Sequence, residues 1–486
     1  MKRTLKSIEN ALDNAKTYSE WKEAAQEYDR FSGNEDWKDN DRCSDYDYEL
    51  IRLRLAELRR ARQQNDVNQL VFNLHEGLHG NLGNIANPKL YQHTKIGTKY
   101  LITDYLREVC DCLVYLKESN SPNFGFKEKI EFFETTGKAF GRSALMLSGG
   151  ATLGLFHLGV VKALWGEHLL PTVISGSSAG SIMTAALGTH NDKELEALFD
   201  PEFLYLEAYK LVGWKGWMKG RSLLDGDHLE ACLESNVSDM TFEEAYKHTG
   251  RITNISVSPY DHHQESRLLN IHTSPNVLVR KASLASCAIP GVFPPVTLWA
   301  KNIHGEQVPY IPTRKWVDGS IKDDLPVVRL MRLFGVNHSI VSQTNPHVVP
   351  FLSRSQDQHS IYHFLKEVVT SNVSMNLNYL LDVVRKNIPA NDIGLLVDKA
   401  QSVVRQKYSG DINIVPPRRP QNIFKILKNA TPKDIADFIE MGERTTWPKL
   451  EMIHNTTLIS RTFERCIKEL QAEEALEWGK IARISA

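Results

Sequence analysis

Hydrophobic positions along the chain follow three successive patterns, and each predicts a different kind of structure. Over residues 1 to about 140, apolar residues recur at helical spacing, as in ELIRLRLAELRRARQQ and YLITDYLREVCDCLVYL. From Ser143 onward, short apolar runs end in glycine or polar turns and alternate with helical patterns, as in SALMLSGGATLG, TVISGSSAG and NHSIVSQTNP. After about residue 350 helical spacing returns, for example in KDIADFIEMG. We therefore predict a helical N-terminal domain over 1–142, an α/β domain with a parallel sheet over 143–345, and a helical C-terminal region over 346–486.

One glycine-flanked serine has the sequence context of a catalytic nucleophile. The segment Gly176-Ser177-Ser178-Ala179-Gly180 fits G-x-S-x-G and lies between the apolar run TVIS and the helical pattern SIMTAAL. In a nucleophile elbow the serine occupies a sharp turn between strand and helix, and only small residues two positions away let those elements close. We therefore predict Ser178 as the nucleophile, with Gly176 and Gly180 as the glycines of the elbow.

A second glycine-rich loop, SGGATLG over residues 148–154, follows the preceding predicted strand and opens a helix. Backbone amides at a helix N-terminus bind anions, so Gly149, Gly150 and Ala151 are candidates for an oxyanion hole, with Gly154 as a further glycine of the loop. A nucleotide pyrophosphate is the alternative anion. That reading requires a glycine where Ala151 stands and an acidic residue about twenty positions later, where GSSAG lies instead. The oxyanion interpretation is therefore favoured.

The spacing of the two loops predicts that they meet. A helix of about fourteen residues separates them, which is the length of a right-handed crossover between neighbouring parallel strands. Both loops should then emerge at the same edge of strands about 4.8 Å apart. A serine hydroxyl and oxyanion-binding amides facing one cleft are the arrangement that acyl transfer requires.

A serine nucleophile also needs a base, and Asp318 is the first candidate. It ends the short apolar run of KWVDGS, just before a glycine turn, and its alternative role is to cap that turn. His157 lies one turn beyond the glycine loop inside the pattern FHLGVVKAL, which favours a packing role over that of a base. His338 and His347 follow Asp318 and would complete a Ser-Asp-His order.

Long segments resemble a known family. FGRSALMLSGGATLGLFHLGVVKAL and LLPTVISGSSAGSI resemble the patatin-like phospholipase family, specifically its triacylglycerol lipase branch from fungal and plant lipid bodies. LLNIHTSPNVLVRKASLASCAIPGVFPPV, VDGSIKDDLPV and GDINIVPP carry the resemblance further. LHGNLGNIANPKLYQHTKIGTKYLI resembles the uncharacterised domain that precedes the lipase domain in that branch. The resemblance spans about residues 70 to 455.

The resemblance implies a three-layer α/β/α sandwich with helical lobes at both ends and a serine–aspartate dyad in place of a triad. It matches Ser178 to the nucleophile, Asp318 to the base, and Gly149, Gly150 and Ala151 to the oxyanion loop. Ala151 departs from the glycine that many relatives carry. Ser320 also departs, since glycine or alanine usually follows the Asp-Gly pair.

The implied activity is hydrolysis of long-chain acyl esters through an acyl-enzyme, with triacylglycerol as the first substrate and no cofactor or metal. One alternative is a phospholipase A or lysophospholipase that uses the same dyad, because the two loops recognise an ester and not a head group. A second alternative is a non-enzymatic lipid-binding scaffold.

Charge and cysteine content limit the partners. The 58 basic and 59 acidic residues give a net charge of -1, so no global field attracts nucleic acid or an anionic membrane. Six scattered cysteines indicate reduced thiols, and the N-terminus lacks the pattern of a signal peptide. We therefore predict a cytoplasmic protein that associates peripherally with a membrane or lipid droplet. Its predicted lipid contact is KLVGWKGWMKGR over 210–221, for which an ordinary packed loop is the alternative.

Overall fold

The structure is a computed structural model that describes residues 4–202, 224–261, 265–290, 292–320, 324–345, 409–417 and 429–484. Within these ranges the helices are α1 (Leu5–Asn14), α2 (Tyr18–Ser32), α3 (Asn34–Asp39), α4 (Tyr48–Gln63), α5 (Val67–Gly77), α6 (Tyr100–Glu118), α7 (Phe126–Phe140), α8 (Phe156–Gly166), α9 (Ala179–Thr189), α10 (Gly226–Asn236), α11 (Phe242–Thr249), α12 (Val279–Cys287), α13 (Val327–Phe334), α14 (Pro432–Thr446) and α15 (Leu450–Ile484). The strands are β1 (Arg142–Leu147), β2 (Val173–Gly176), β3 (Ile252–Pro259), β4 (Arg267–Leu269), β5 (Trp299–Lys301), β6 (Gln307–Pro309), β7 (Trp316–Asp318), β8 (Val336–Ser342) and β9 (Ile412–Ile414).

The strands form one main sheet in the order β4-β3-β2-β1-β8-β9, with β7 also paired to β3, and β5 and β6 form a separate hairpin. Strands β1, β2 and β3 are parallel, as are β8 and β9. The predicted α/β class is therefore confirmed. The sheet is mixed, however, because β4 and β7 run antiparallel to β3. The three-residue apolar run of β7 does not encode strand direction, which the chain connections around it decide.

Local sequence explains where several helices begin. Thr241 accepts a hydrogen bond from the Glu244 amide, and the Glu244 carboxylate accepts one from the Thr241 amide, which closes a capping box at the start of α11. Asp47 and Asp66 cap α4 and α5 through their side chains. Each such cap satisfies an amide that the helix itself leaves without an acceptor. The predicted helices of the N-terminal region are confirmed by α4 and α6.

The chain divides into two compact units that are not continuous in sequence. The first comprises Met1–Ser143, Met331–His338 and Trp447–Ala486, and it holds α1 to α7 together with α15. Its core includes edge-to-face contacts of Phe133 with Phe132 on α7 and with Phe463 on α15. No helix within the described ranges is long and apolar enough to cross a membrane. The domain boundaries given from sequence remain a prediction.

The second unit comprises Ala144–Leu330 and Ser339–Thr446 and contains the main sheet. In it, α8 and α14 pack with their backbones in close contact. A Cβ atom at Gly159 of α8 would overlap the carbonyl oxygen of Ile439, and one at Gly442 of α14 would overlap that of Phe156. A helix from the C-terminal part of the chain therefore holds the helix that follows the glycine loop.

We expect Gly159→Ala to lower the free energy of unfolding by about 1–3 kcal/mol, because the added methyl group forces α8 and α14 apart. Gly166→Ala is the matched control, since Gly166 also lies in α8 and a Cβ atom there meets nothing within 4 Å. Denaturant unfolding of both variants checks this. Equal midpoints for the two variants would contradict the close packing of these helices.

Candidate active site

Ser178 occupies a strained turn between β2 and α9. Its backbone has φ 49° and ψ -126°, a region that non-glycine residues rarely adopt. A Cβ atom at Gly176 would overlap the carbonyl oxygen of Gly180, and one at Gly180 would overlap that of Leu147. Only glycine fits at both positions, so the elbow geometry follows from the spacing of its glycines.

Hydrogen bonds from α12 and α9 fix the main chain of Ser178 at both its amide and its carbonyl. Its amide donates to the hydroxyl oxygen of Ser286 over 2.9 Å, and that hydroxyl donates to the carbonyl of Ser256 on β3 over 2.7 Å. Its carbonyl accepts from the Ser181 hydroxyl over 2.6 Å and from the Cys287 thiol over 3.2 Å. Sequence reasoning missed these contacts, although Ser286 and Cys287 lie in the segment ASLASCAIPG that carried part of the resemblance.

The glycine loop is held from two directions. The Gly149 amide donates to Oδ1 of Asp324 over 2.9 Å. The Gly149 carbonyl accepts from the hydroxyls of Ser148 and Thr344, over 3.0 and 3.2 Å. A Cβ atom at Gly150 would overlap the Thr344 hydroxyl. The amide of Gly149 is therefore already hydrogen-bonded, and the amides of the next two residues are the ones left for an incoming anion.

Ala151 begins a short 3-10 helix, Ala151–Leu155, that leads into α8. Its φ of 48° is left-handed, which explains why glycine suits this position and shows that alanine is accommodated at some cost in strain. The first amides of a helix have no acceptor within it. In the described residues, those of Gly150 and Ala151 have no other acceptor either. A Cβ atom at Gly154 would overlap the side chain of Ala179, so this glycine lets the 3-10 helix approach the elbow.

The two loops meet as the spacing predicted. Leu147 at the end of β1 is in register with Gly176 at the end of β2. A Cβ atom at Gly149 would lie 3.2 Å from that of Ser178 and 3.4 Å from that of Ser320. The nucleophile candidate, the glycine loop and the turn that follows Asp318 therefore converge.

Asp318 is buried at the end of β7. Its Oδ1 accepts from the Ser320 amide over 2.7 Å, so the turn-capping interaction considered from sequence is present. Its amide donates to the carbonyl of Ala288, which directly follows α12. Burial, and then the nearby Asp318 carboxylate, raise the pKa of the Cys287 thiol. Asp318 thus lies beside the same helix end that holds Ser178, and its role as the base remains a prediction.

The three histidines considered as possible bases lie in different parts of the chain. His157 is buried, with Nε2 donating to the Ser148 carbonyl over 3.0 Å and Nδ1 accepting from the Ser342 hydroxyl over 2.7 Å. It bridges the ends of β1 and β8, as expected for a packing role. His338 lies near the start of β8, where Nδ1 contacts the Ser143 hydroxyl at the start of β1. The glycine loop follows the opposite, carboxyl end of β1, and the Ser178 elbow follows the carboxyl end of β2. His347 lies outside the described residues.

A second buried carboxyl group, Asp324, lies beside the site and was not predicted. Besides accepting from the Gly149 amide, it offers its main-chain carbonyl to the Ser177 hydroxyl over 2.6 Å. Burial, reinforced by the Asp318 carboxylate, raises the pKa of Asp324 to about 7. Its only sequence signal was its place in the segment DDLPV, where a second acidic residue and a proline follow the Asp-Gly pair.

Comparison with known proteins identifies the family. Residues 145–331 match the family described as "Patatin-like phospholipase", and residues 1–138 match "Domain of unknown function (DUF3336)". Over 483 residues the chain is 34% identical to "Triacylglycerol lipase ptl3" of Schizosaccharomyces pombe, covering 95% of this chain and 98% of that protein. The chain belongs to the patatin-like phospholipase family. The predicted lipase-type hydrolase, α/β/α fold class and preceding N-terminal domain are confirmed with it.

Two other patatin-like relatives are longer than this chain. "Triacylglycerol lipase SDP1L" of Arabidopsis thaliana is 34% identical over 95% of the chain, and "Triacylglycerol lipase 4" of Saccharomyces cerevisiae is 35% identical over 96%. The chain spans 58% and 52% of their lengths. "Human GIVD cytosolic phospholipase A2" is a solved structure with 10% identity, covering 76% of this chain and 64% of its own, and a TM-score of 0.36. A similarity that low bears on neither fold nor function.

The buried imidazole of His157 gives a prediction about acid stability. Burial lowers its pKa from 6.5 to about 4, so the unfolded chain binds a proton at a higher pH than the folded chain does. This group therefore contributes stability above pH 6.5 that is lost as the pH falls toward 4. His157→Gln keeps a donor and an acceptor but does not titrate.

Between pH 7 and 4.5, the free energy of unfolding should fall by about 2 kcal/mol less in His157→Gln than in the wild type. Denaturant unfolding at the two pH values measures the difference. His304→Gln, at an exposed position of the hairpin turn, controls for the loss of an imidazole. Parallel pH dependence in wild type and His157→Gln would rule out a neutral buried His157.

Proposed function

We propose that this protein is a serine esterase that hydrolyses long-chain acyl esters, with triacylglycerol as the main substrate, through Ser178 and Asp318. The single observation that supports it most is that the strained Ser178 lies directly against the glycine loop. A Cβ atom placed on Gly149 would be 3.2 Å from the Cβ atom of Ser178. The names of the three relatives above support triacylglycerol as the substrate.

The proposed reaction has two half-steps. The Ser178 hydroxyl attacks the ester carbonyl while Asp318 takes its proton, and the alcohol leaves with that proton, so that an acyl-serine ester remains. Water then attacks this ester and loses a proton to Asp318. Asp318 returns that proton to the Ser178 oxygen as the acyl–oxygen bond breaks and the fatty acid leaves. In both half-steps the amides of Gly150 and Ala151 donate to the developing oxyanion. Gly149 contributes by leaving space next to Ser178, since its own amide already bonds Asp324.

The phospholipase A alternative uses the same residues and differs in the leaving group. Nothing in the two loops recognises a head group, so the choice between glycerol esters depends on surfaces away from Ser178. The scaffold alternative is less well supported. The strained backbone of Ser178 costs the folded state on the order of 1–3 kcal/mol, and lipid binding without catalysis does not require a strained serine.

The proposed reaction takes place at a lipid surface. We place it in the cytoplasm, in peripheral contact with a membrane or lipid droplet, since the family's esters are insoluble in water. The proposed contact is KLVGWKGWMKGR, over 210–221, which lies outside the described residues. Its tryptophans suit a membrane interface, and its basic side chains suit lipid phosphates.

Ser178→Ala should abolish hydrolysis, because the proposed acyl-enzyme forms on the Ser178 hydroxyl. Asp318→Asn should lower kcat by about 10² to 10⁴, the usual cost of losing a general base. His338→Ala is the control, since His338 lies at the other end of its strand. Turnover of a soluble p-nitrophenyl ester measures all three variants. Near-normal turnover in Ser178→Ala or Asp318→Asn would refute the dyad, and a matching loss in His338→Ala would favour a triad.

Assays of the wild type on triacylglycerol, diacylglycerol, phospholipid and lysophospholipid, each with Ser178→Ala as the blank, distinguish the substrate alternatives. We expect the highest rate on triacylglycerol. A higher Ser178-dependent rate on phospholipid would establish the phospholipase alternative. A fluorophosphonate that labels wild type but not Ser178→Ala would argue against a non-enzymatic scaffold.

Replacing Trp214 and Trp217 together by alanine should lower hydrolysis of emulsified long-chain ester about tenfold or more while sparing a soluble short ester. The ratio of the two activities is the readout, because both use one active site. Trp37→Ala, in the N-terminal helical unit, tests whether loss of any tryptophan has this effect. An equal loss on both substrates would mean that the two tryptophans support the fold and do not contact lipid.

A further inference from the structure

Asp324 contacts both catalytic loops at once. Its Oδ1 accepts the amide of Gly149 in the glycine loop over 2.9 Å. Its main-chain carbonyl accepts the hydroxyl of Ser177, the residue before the nucleophile, over 2.6 Å. In both contacts Asp324 is the acceptor, and the residue is buried.

We propose that Asp324 is a positioning residue that aligns the oxyanion amides with Ser178. The amide hydrogen bond at Gly149 fixes the peptide plane between Ser148 and Gly149, from which the main chain continues to the amides of Gly150 and Ala151. The bond to Ser177 fixes the elbow against the same residue. Because one residue holds both loops, movement of either loop relative to the other is opposed. This role rests on the function proposed above and extends it.

The chemistry of the contacts explains why a carboxylate suits this position. An oxygen of Asp324 can accept from the Gly149 amide in either protonation state, and the bond is stronger when the group is ionised. An asparagine would keep an acceptor oxygen for the Gly149 amide but could not become charged. A leucine of similar size would leave the buried Gly149 amide without an acceptor.

The contacts of Asp324 differ from those that the proposed base requires. A base must reach the serine hydroxyl, whereas Asp324 is bonded to the loop amide and to the residue that precedes the serine. A positioning role therefore predicts a particular kinetic pattern. Oxyanion bonds form mainly in the transition state, so misaligned amides should lower kcat and leave KM nearly unchanged.

The test compares Asp324→Leu, Asp324→Asn and Ser177→Ala with Asp411→Leu. Asp411 is a matched control because its carboxylate also accepts a hydrogen bond from a backbone amide of the same sheet, that of Ser339 in β8, over 2.7 Å. We expect kcat to fall at least 100-fold in Asp324→Leu, and about three- to tenfold in Asp324→Asn and in Ser177→Ala. KM should stay within about threefold throughout, and Asp411→Leu should keep its kcat.

Hydrogen–deuterium exchange gives a second readout that does not need activity. Asp324→Leu should speed exchange in peptides covering 147–155, and Asp411→Leu should not. The proposal is overturned if Asp324→Leu keeps both its kcat and its protection, or if its kcat falls only in proportion to the unfolded fraction. Should Asp324→Leu fail to fold, Asp324→Asn and Ser177→Ala decide on the same criteria.

The two hypotheses fail differently. If the wild type shows no hydrolysis that depends on Ser178, the proposed function fails, while the exchange measurement still decides whether Asp324 orders the glycine loop. If the wild type is active and the Asp324 variants match it in kcat and exchange, the positioning role fails and the dyad stands.

Discussion

Backbone strain at Ser178 is the constraint on which the catalytic unit depends. A serine at φ 49° is less stable than one in an extended or helical conformation, and the strain persists only where surrounding contacts outweigh it. Those contacts are Ser286 on its amide and Cys287 on its carbonyl, both at the end of α12. Glycines at 176 and 180 provide the space for the turn. The elbow is therefore stable only when β1, β2 and α12 are assembled around it.

The rest of the site follows from that assembly. Parallel pairing of β1 and β2 brings the glycine loop to the elbow, and residues distant in sequence then fix its orientation. Thr344 after β8 limits the space around Gly150, Asp324 accepts the Gly149 amide, and neutral His157 joins the ends of β1 and β8. A buried imidazole that stays neutral avoids the cost of an isolated charge in the interior.

The C-terminal part of the chain contributes separately to both compact units. Helix α14 packs against α8 in the unit that holds the sheet, whereas α15 contributes Phe463 to the core of the helical unit. The backbone contact at Gly159 and Gly442 shows how strongly α14 belongs to the catalytic unit.

Sequence alone determined the features that depend on neighbours along the chain. The helical spacing of α4 and α6, the strand-turn-helix order around Ser178, and the crossover length that joins the two loops are local, and the structure agrees with each. Tertiary structure decided the antiparallel direction of β7, the hydrogen-bond partners of His157, and the contacts of Ser286 and Asp324. These last contacts join residues more than 100 positions apart, and no local pattern encodes which buried donor will meet which acceptor. Only the completed sheet brings them within hydrogen-bonding distance.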